Sequence, residues 1–436
     1  MNVYGTPWLT PWEQEEVIRE IMGFGLIRYD NKRSLPLKSG GTTDVYINLR
    51  DARNDPKAPR YLATVYANAL RRLKADRFAE IPDSVSCIAP HLAEQLGCGY
   101  ITLRDAPKEG RVTKAAMIGT VNRGERVVLF DDVITTGGSK VGPFRTLMDL
   151  PIQQCPLVVL VDRQQGWKQG FAAANIPLEV WPGMTLHDVR RFLISTGQMQ
   201  RCDPTVEAQN PIIVALDGRG WEDILPIADR LRPTGCILKV NDLLWERGFE
   251  RLLPDLGVYA RIMADIKAHD IKNTVENIVK WILRHNVWAI TVHGSGGGEM
   301  IKAAVATLQG TLTKVLVVTV LTTIDPATCE EIYHRRPIEQ VLTLAKIGAE
   351  AGAHGFVCSA HEVSELKRLY PDKTLVIPGV RSPGAEVGDQ KRVDTPANAI
   401  ASGATNLVMG RQLLNAKDPV AELSRVLREE LHLQSA

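Results

Sequence analysis

The chain has 436 residues, of which 44% are hydrophobic and 23% charged, so it can bury sizeable cores and global disorder is excluded. Lys and Arg number 52 against 50 Asp and Glu, a net charge of +2 that gives no global field favouring nucleic acid or an anionic membrane. Apolar runs such as Val315–Leu321 fall far short of the roughly 20 residues that cross a bilayer. Seven scattered Cys residues form no CxxC pair, which suits a reducing compartment and predicts neither a disulfide framework nor a structural zinc or iron. The opening stretch MNVYGTPWLTPWEQEE carries no signal-peptide pattern, so the expectation is a cytoplasmic enzyme or binding protein.

In chain order, a helix is predicted at Tyr61–Leu73 and strand-like runs at Val85–Ala89, Tyr100–Leu103, Arg126–Phe130 and Leu157–Val161. That alternation predicts an open α/β sheet over residues 1–195. Residues 196–209 are polar and aperiodic, and read as a linker. From 210 to 436 the sequence keeps a regular beat. Apolar runs at Ile212–Leu216, Cys236–Val240, Tyr259–Asp265, Val287–Val292, Val315–Leu321, Gly355–Cys358, Thr374–Ile377 and Asn406–Met409 are separated by helical stretches. Continuous apolar strands alternating with helices mark parallel strands covered on both faces. Eight such units predict a closed (β/α)8 barrel, with an open doubly wound sheet as the weaker alternative.

In the amino-terminal half, an apolar strand runs into Asp131-Asp132 and then into Thr135-Thr136-Gly137-Gly138-Ser139, which opens a helix. The amides and hydroxyls of such a loop can cradle a phosphate at a helix N-terminus. The two acids can hold ribose hydroxyls or the water shell of a magnesium ion.

In a barrel, chemistry sits where the strands end. Those places carry Asp217, Lys239, Asp265, Lys267 and Asp270, then His293, Thr322, Gly379-Val380-Arg381 and Gly410-Arg411. Asp265 and Lys267 are two apart on a strand, which predicts that their side chains share a face. Four alternating charges at one barrel mouth are expensive to desolvate, so they point to catalysis rather than to structure. His293 reads as a packing or hydrogen-bonded residue. Gly-Arg at the last strand, with an Arg after the seventh, suits a phosphate site.

The strings ALD (215–217), LKV (238–240), DIKAHDIKNT (265–274), TVHGSGGGEM (291–300), PGVR (378–381), GDQKR (388–392) and MGRQ (409–412) resemble the orotidine 5′-phosphate decarboxylase family in order and spacing. The resemblance implies that Asp217, Lys239, Asp265, Lys267 and Asp270 form the catalytic charge network and that no cofactor is used. It also implies nucleotide contacts from Thr322, Arg381, Gln390, Gly410 and Arg411. Asp270, Ile271 and Thr274 would reach a neighbouring subunit's site, which implies a homodimer. A related sugar-phosphate aldol or decarboxylation reaction is the rival chemistry for the same barrel.

The 131–139 segment, with Lys38-Ser-Gly, Tyr46-Ile47-Asn48 and Val161-Asp162-Arg163, resembles orotate phosphoribosyltransferases over roughly residues 20–195. This implies orotate contacts from Thr135 and Arg163, and pyrophosphate contacts from Lys38 and a loop holding Arg104 and Lys108. Magnesium would be needed for that step. The loop departs from the family pattern: Asp105 stands where a second cation is expected, and no aromatic or His precedes Gly110. Two readings stay open. The whole chain resembles the UMP synthase fusion, turning orotate and phosphoribosyl pyrophosphate into UMP; or the first half is an inactive nucleotide-binding or assembly module beside a working decarboxylase.

Overall fold

The computed structural model describes residues 7–32, 34–36, 42–103, 117–202, 204–285, 287–384 and 394–433. The chain divides into two compact units, one ending at Gln200 and the other starting at Arg201. No helix among the described residues is long and apolar enough to cross a membrane.

The first unit is built on a six-stranded sheet. In chain order its strands are β1 (Arg77–Glu80), β2 (Tyr100–Leu103), β3 (Met117–Ile118), β4 (Arg126–Ile134), β5 (Gln153–Asp162) and β6 (Val180–Thr185). Spatially they run β6-β5-β4-β1-β2-β3, parallel except for the edge strand β3. The long apolar strand β4 is therefore central, and its carboxy-terminal end carries the acid pair. The strand expectations depart from the structure here, and neither β1 nor β3 was among them. Residues 85–89 are not a strand: Val85, Ile88, Ala89 and Leu92 are buried at three- and four-residue spacing, the face of the helix Ala89–Leu96 and its lead-in turn. Strand β6 went unpredicted because Pro182 and Gly183 interrupt its apolar pattern, which an edge position tolerates.

The second unit is a closed barrel of eight parallel strands. They are β7 (Ile212–Ala215), β8 (Ile237–Val240), β9 (Arg261–Ala268), β10 (Ala289–His293), β11 (Lys314–Val318), β12 (Gly355–Val357), β13 (Thr374–Pro378) and β14 (Asn406–Met409). Ile213, Ile237, Met263, Ala289, Leu316 and Val408 belong to one buried cluster filling the interior. Because side chains alternate along a strand, the residues two further on form the next inner layer, at the carboxy-terminal mouth. That layer includes Ala215, Lys239, Asp265, Thr291, Val318 and Gly410.

Residues 204–209, inside the stretch read as a linker, form a short helix over the amino-terminal ends of β8 and β9. Its Glu207 pairs with Arg201 at 2.9 Å, and the Arg261 guanidinium donates to the Glu207 carbonyl. A Cβ at Gly235 (φ 67°) would stand 2.8 Å from the Glu207 backbone nitrogen, so only glycine lets this helix approach.

Candidate active site

At the barrel mouth, four side chains alternate in sign along one line. The Lys239 ammonium lies 2.6 Å from Asp217 Oδ2 and 3.1 Å from Asp265 Oδ2, and Lys267 Nζ lies 2.8 Å from that same Asp265 oxygen. Burial is graded along the row. The side chains of Lys239 and Asp265 are each 9% exposed, whereas Asp217 is 43% and Lys267 35% exposed at the two ends. The interior pair is fixed and the ends remain open to a ligand.

The electrostatics follow from that packing. Burial pushes the Asp265 carboxyl up, but Lys239 and Lys267 outweigh it and hold the group below the usual carboxylate range. Burial likewise pulls the Lys239 ammonium down, and Asp265 and Asp217 together raise it above the usual lysine value.

All four residues line one cavity of about 900 Å³. Met263, Val318, Val357 and Val408 give it an apolar wall, and Thr322, Gly379, Arg381, Gly410 and Arg411 line its other parts. Two cations, buried Arg381 and exposed Arg411, therefore stand in the same cavity as the charge row. Gln390 lies outside the described residues. Asp270, Ile271 and Thr274 do not line this cavity; Asp270 is exposed and accepts from the Ile271 backbone N–H at 2.6 Å, and Ile271 is 72% exposed. His293 also lies off the lining, with Nδ1 2.7 Å from Ser295 Oγ.

The meeting of Asp265 and Lys267 does not come from a regular pleat. The β9–β10 ladder pairs Ala264 with Ile290 and then Ala268 with Val292, so residues 265–267 bulge. Lys267 takes φ 46°, a left-handed conformation unusual for a non-glycine. Two neighbours that the sequence reading missed hold this bulge. The Thr291 hydroxyl donates to Asp265 Oδ1 at 2.9 Å and accepts the Lys267 backbone N–H at 2.9 Å, and Asn241 Nδ2 donates to the Asp265 carbonyl at 2.6 Å. The one available signal was a threonine at an inward position two residues after Ala289 in an apolar strand.

In the first unit, Gly137 (φ 83°) caps the helix Gly138–Met148, so Thr135 to Ser139 form the turn at the end of β4. The two acids part company. Asp131 is fully buried, ion-paired with Lys140, and its carbonyl accepts the Tyr66 hydroxyl at 2.9 Å. Asp132 is half-buried, and burial with the charge of Asp131 pushes its carboxyl up to about 7. Arg163, just beyond β5, is buried and donates to Thr43 Oγ1 at 3.4 Å; Tyr46 sits half-buried on the short strand Val45–Ile47. Lys38, Arg104 and Lys108 lie outside the described residues. No group of three His, Cys, Asp or Glu side chains among the described residues is placed to hold a metal. A magnesium ion here would depend on a phosphate ligand and its own waters, with Asp132 contributing one carboxylate and the ion neutralising phosphate charge.

An eight-stranded parallel barrel with an acid–lysine row and two arginines in its mouth defines a (β/α)8-barrel enzyme. Residues 210–426 match the family described as "Orotidine 5'-phosphate decarboxylase / HUMPS family". The chain is 37% identical over 228 residues to the curated orotidine 5′-phosphate decarboxylase of Chromohalobacter salexigens, covering 51% of this chain and 97% of that one. It is 40% identical over 230 residues to the enzyme of that name from Neisseria meningitidis serogroup A, covering 51% and 94%. A crystal structure of orotidine 5′-phosphate decarboxylase from Lactobacillus acidophilus matches at 33% identity and a TM-score of 0.45, over 50% of this chain and 98% of that one. The chain belongs to the orotidine 5′-phosphate decarboxylase / HUMPS family.

Proposed function

We propose that the barrel decarboxylates orotidine 5′-phosphate to UMP, a step of pyrimidine nucleotide biosynthesis, using the Asp217–Lys239–Asp265–Lys267 row and no cofactor. The observation that carries this reading is the sharing of Asp265 Oδ2 by two ammonium groups inside one cavity. Breaking the C6–carboxylate bond leaves its electron pair on C6, where the pyrimidine ring cannot delocalise it. A fixed ammonium stabilises that developing charge, and Lys267, at the open end of the row, then gives C6 a proton and is reprotonated from water. Asp265 stands where a substrate carboxylate beside Lys267 would meet a second anion, and the apolar wall receives the neutral carbon dioxide. Arg381 and Arg411 supply the charge that a 5′-phosphate requires, with Thr322, Gly410 and Gln390 as further nucleotide contacts. Gripping that remote group provides binding energy usable at the transition state.

A homodimer belongs to this reading. Asp270, Ile271 and Thr274 do not line their own cavity, and Ile271, at the N-cap of the helix Lys272–Leu283, and Trp281, on that helix, are 72% and 53% exposed. This face therefore has apolar surface to bury against a second copy, whose site those residues would complete. A cytoplasmic setting suits such a metabolic role.

For the first unit, the reading is phosphoribosyl transfer to orotate, supplying the barrel's substrate. Thr135 to Ser139 would cradle the 5′-phosphate, Asp132 would meet the ribose or magnesium, Thr135 and Arg163 would contact orotate, and Lys38, Arg104 and Lys108 the pyrophosphate. A second reading, a nucleotide-binding or assembly module without turnover, is favoured by Asp131 being occupied by Lys140 and by Asp105 standing where a cation is expected. One assay separates them. Full-length protein receives orotate, phosphoribosyl pyrophosphate and magnesium, or orotidine 5′-phosphate alone, while pyrophosphate and carbon dioxide are followed separately. Both products from the first mixture support the fused pathway; carbon dioxide only from orotidine 5′-phosphate supports the module; none from either defeats the decarboxylase reading.

A further inference from the structure

We infer that Thr291 is a positioning residue for the barrel's reaction: its single hydroxyl fixes both the proton-donating lysine and that lysine's carboxylate partner. The inference rests on the decarboxylase reading above. In the β9–β10 ladder, Thr291 alone stands opposite the three residues 265–267, between the pairs Ala264–Ile290 and Ala268–Val292. Those bulged residues lose the regular ladder, and the Lys267 N–H is satisfied by the Thr291 side chain instead of a β10 carbonyl.

A hydroxyl has one hydrogen to give, and here it goes to Asp265 Oδ1 while a lone pair takes the Lys267 N–H. The arrangement divides Asp265 cleanly. One oxygen is held by Thr291 and the other by the two ammonium groups, so the carboxylate cannot rotate without breaking a contact. Thr291 is fully buried, which excludes water as a ready substitute. A left-handed lysine backbone is a strained state that persists only where its surroundings over-determine it. The charged groups around Asp265 are Lys239 and Lys267, with Asp217 beyond Lys239 and His293 beside Lys267. Thr291 is the neutral donor among them, and its hydrogen bond favours the ionised carboxylate.

The test uses full-length protein. Thr291→Val removes the hydroxyl at nearly constant shape, and Thr291→Ser keeps it. Thr291→Val should lower kcat for orotidine 5′-phosphate about 10- to 100-fold, as small misplacements of reacting groups do. KM and UMP binding should change only about threefold or less, because the phosphate contacts are untouched. The acid limb of the kcat profile should move to higher pH, a shift that simple loosening of the fold would not produce, and Thr291→Ser should recover most of the rate. Should valine prevent folding, Thr291→Ala carries the same expectation. If the parent protein decarboxylates while a folded Val or Ala variant keeps its kcat and acid limb, or if serine recovers nothing, the inference is overturned. A parent protein that never decarboxylates defeats the underlying functional reading instead.

Discussion

Lys239 and Lys267 close on the same atom: their ammonium nitrogens stand 3.1 and 2.8 Å from Asp265 Oδ2. Two cations at one oxygen are tolerable only while that carboxylate is ionised, and Asp217 on the far side of Lys239 completes the alternation. A buried row of this kind is a poor way to gain stability, since desolvation offsets most of the attraction. Each member therefore depends on the others, and the row is best understood as assembled for a ligand.

Removing the inner cation should show this interdependence. Lys239→Met leaves Asp217 and the buried Asp265 facing each other with only Lys267 to compensate. Loss of one partner of a buried pair costs about 3–5 kcal/mol, so denaturant unfolding of the full chain should shift the barrel's transition by that order. Decarboxylation should fall together with stability. A variant as stable as the parent would mean that the row is not coupled as its distances indicate.

The pH response carries a definite sign. Asp265 has a folded pKa below its unfolded value of about 3.9, so its contribution is present above that value and lost as pH falls through the depressed one. Lys239 is raised above about 10.4, so its contribution is complete below that value and lost as pH rises through the elevated one. The pair should stay ionised throughout the interval between, and kcat for carbon dioxide release should show no bend from either group from about pH 5 to 9. A bend in that interval that tracks Asp265 or Lys239 would contradict the geometry.

Much of the barrel was legible in the sequence because its signal is redundant: eight apolar strands recur at similar intervals, and the polar residues that break them fall at their carboxy-terminal ends. Asp217, Lys239, Asp265 and Lys267 could be read as one cluster for that reason. The cause of the Asp265–Lys267 contact was not legible. Simple alternation expects a shared face, whereas the structure uses a bulge and a left-handed Lys267, and the Thr291 hydroxyl opposite it depends on a register that no local pattern encodes. In the first unit, residues 85–89 read as a strand because a short apolar run does not declare its period, and tertiary burial of Val85, Ile88 and Leu92 made it the approach to a helix. Asp131 and Asp132 look equivalent as letters; only the packing of Lys140 against one of them separates their roles.

That separation is testable at Asp132. Burial and Asp131 raise its carboxyl to about 7, so its contribution favours folding below the unfolded value of about 3.9 and is lost as pH rises through about 7. Asp132→Asn should therefore raise the melting temperature more at pH 8 than at pH 5, and, if the first unit binds phosphoribosyl pyrophosphate with magnesium as proposed, should weaken that binding in calorimetric titration. Equal shifts at both pH values would show that Asp132 is not held protonated in the folded unit.

The turn after β4 makes a steric prediction. Gly137 has φ 83°, and a Cβ there would stand 2.5 Å from Phe171 Cε1. Gly137→Ala should cost more than about 1 kcal/mol in thermal unfolding and, if the turn holds a phosphate as proposed, should weaken that binding. An alanine variant with parental stability would place the turn elsewhere.

The central claim concerns Lys267, and its most direct measurement is carbon dioxide release from orotidine 5′-phosphate by the Lys267→Ala full-length protein, with UMP binding measured in the same preparation. The account predicts a fall in turnover of about 10³-fold or more, with UMP still bound through the arginine side of the cavity. Near-parental carbon dioxide release from that variant would contradict it.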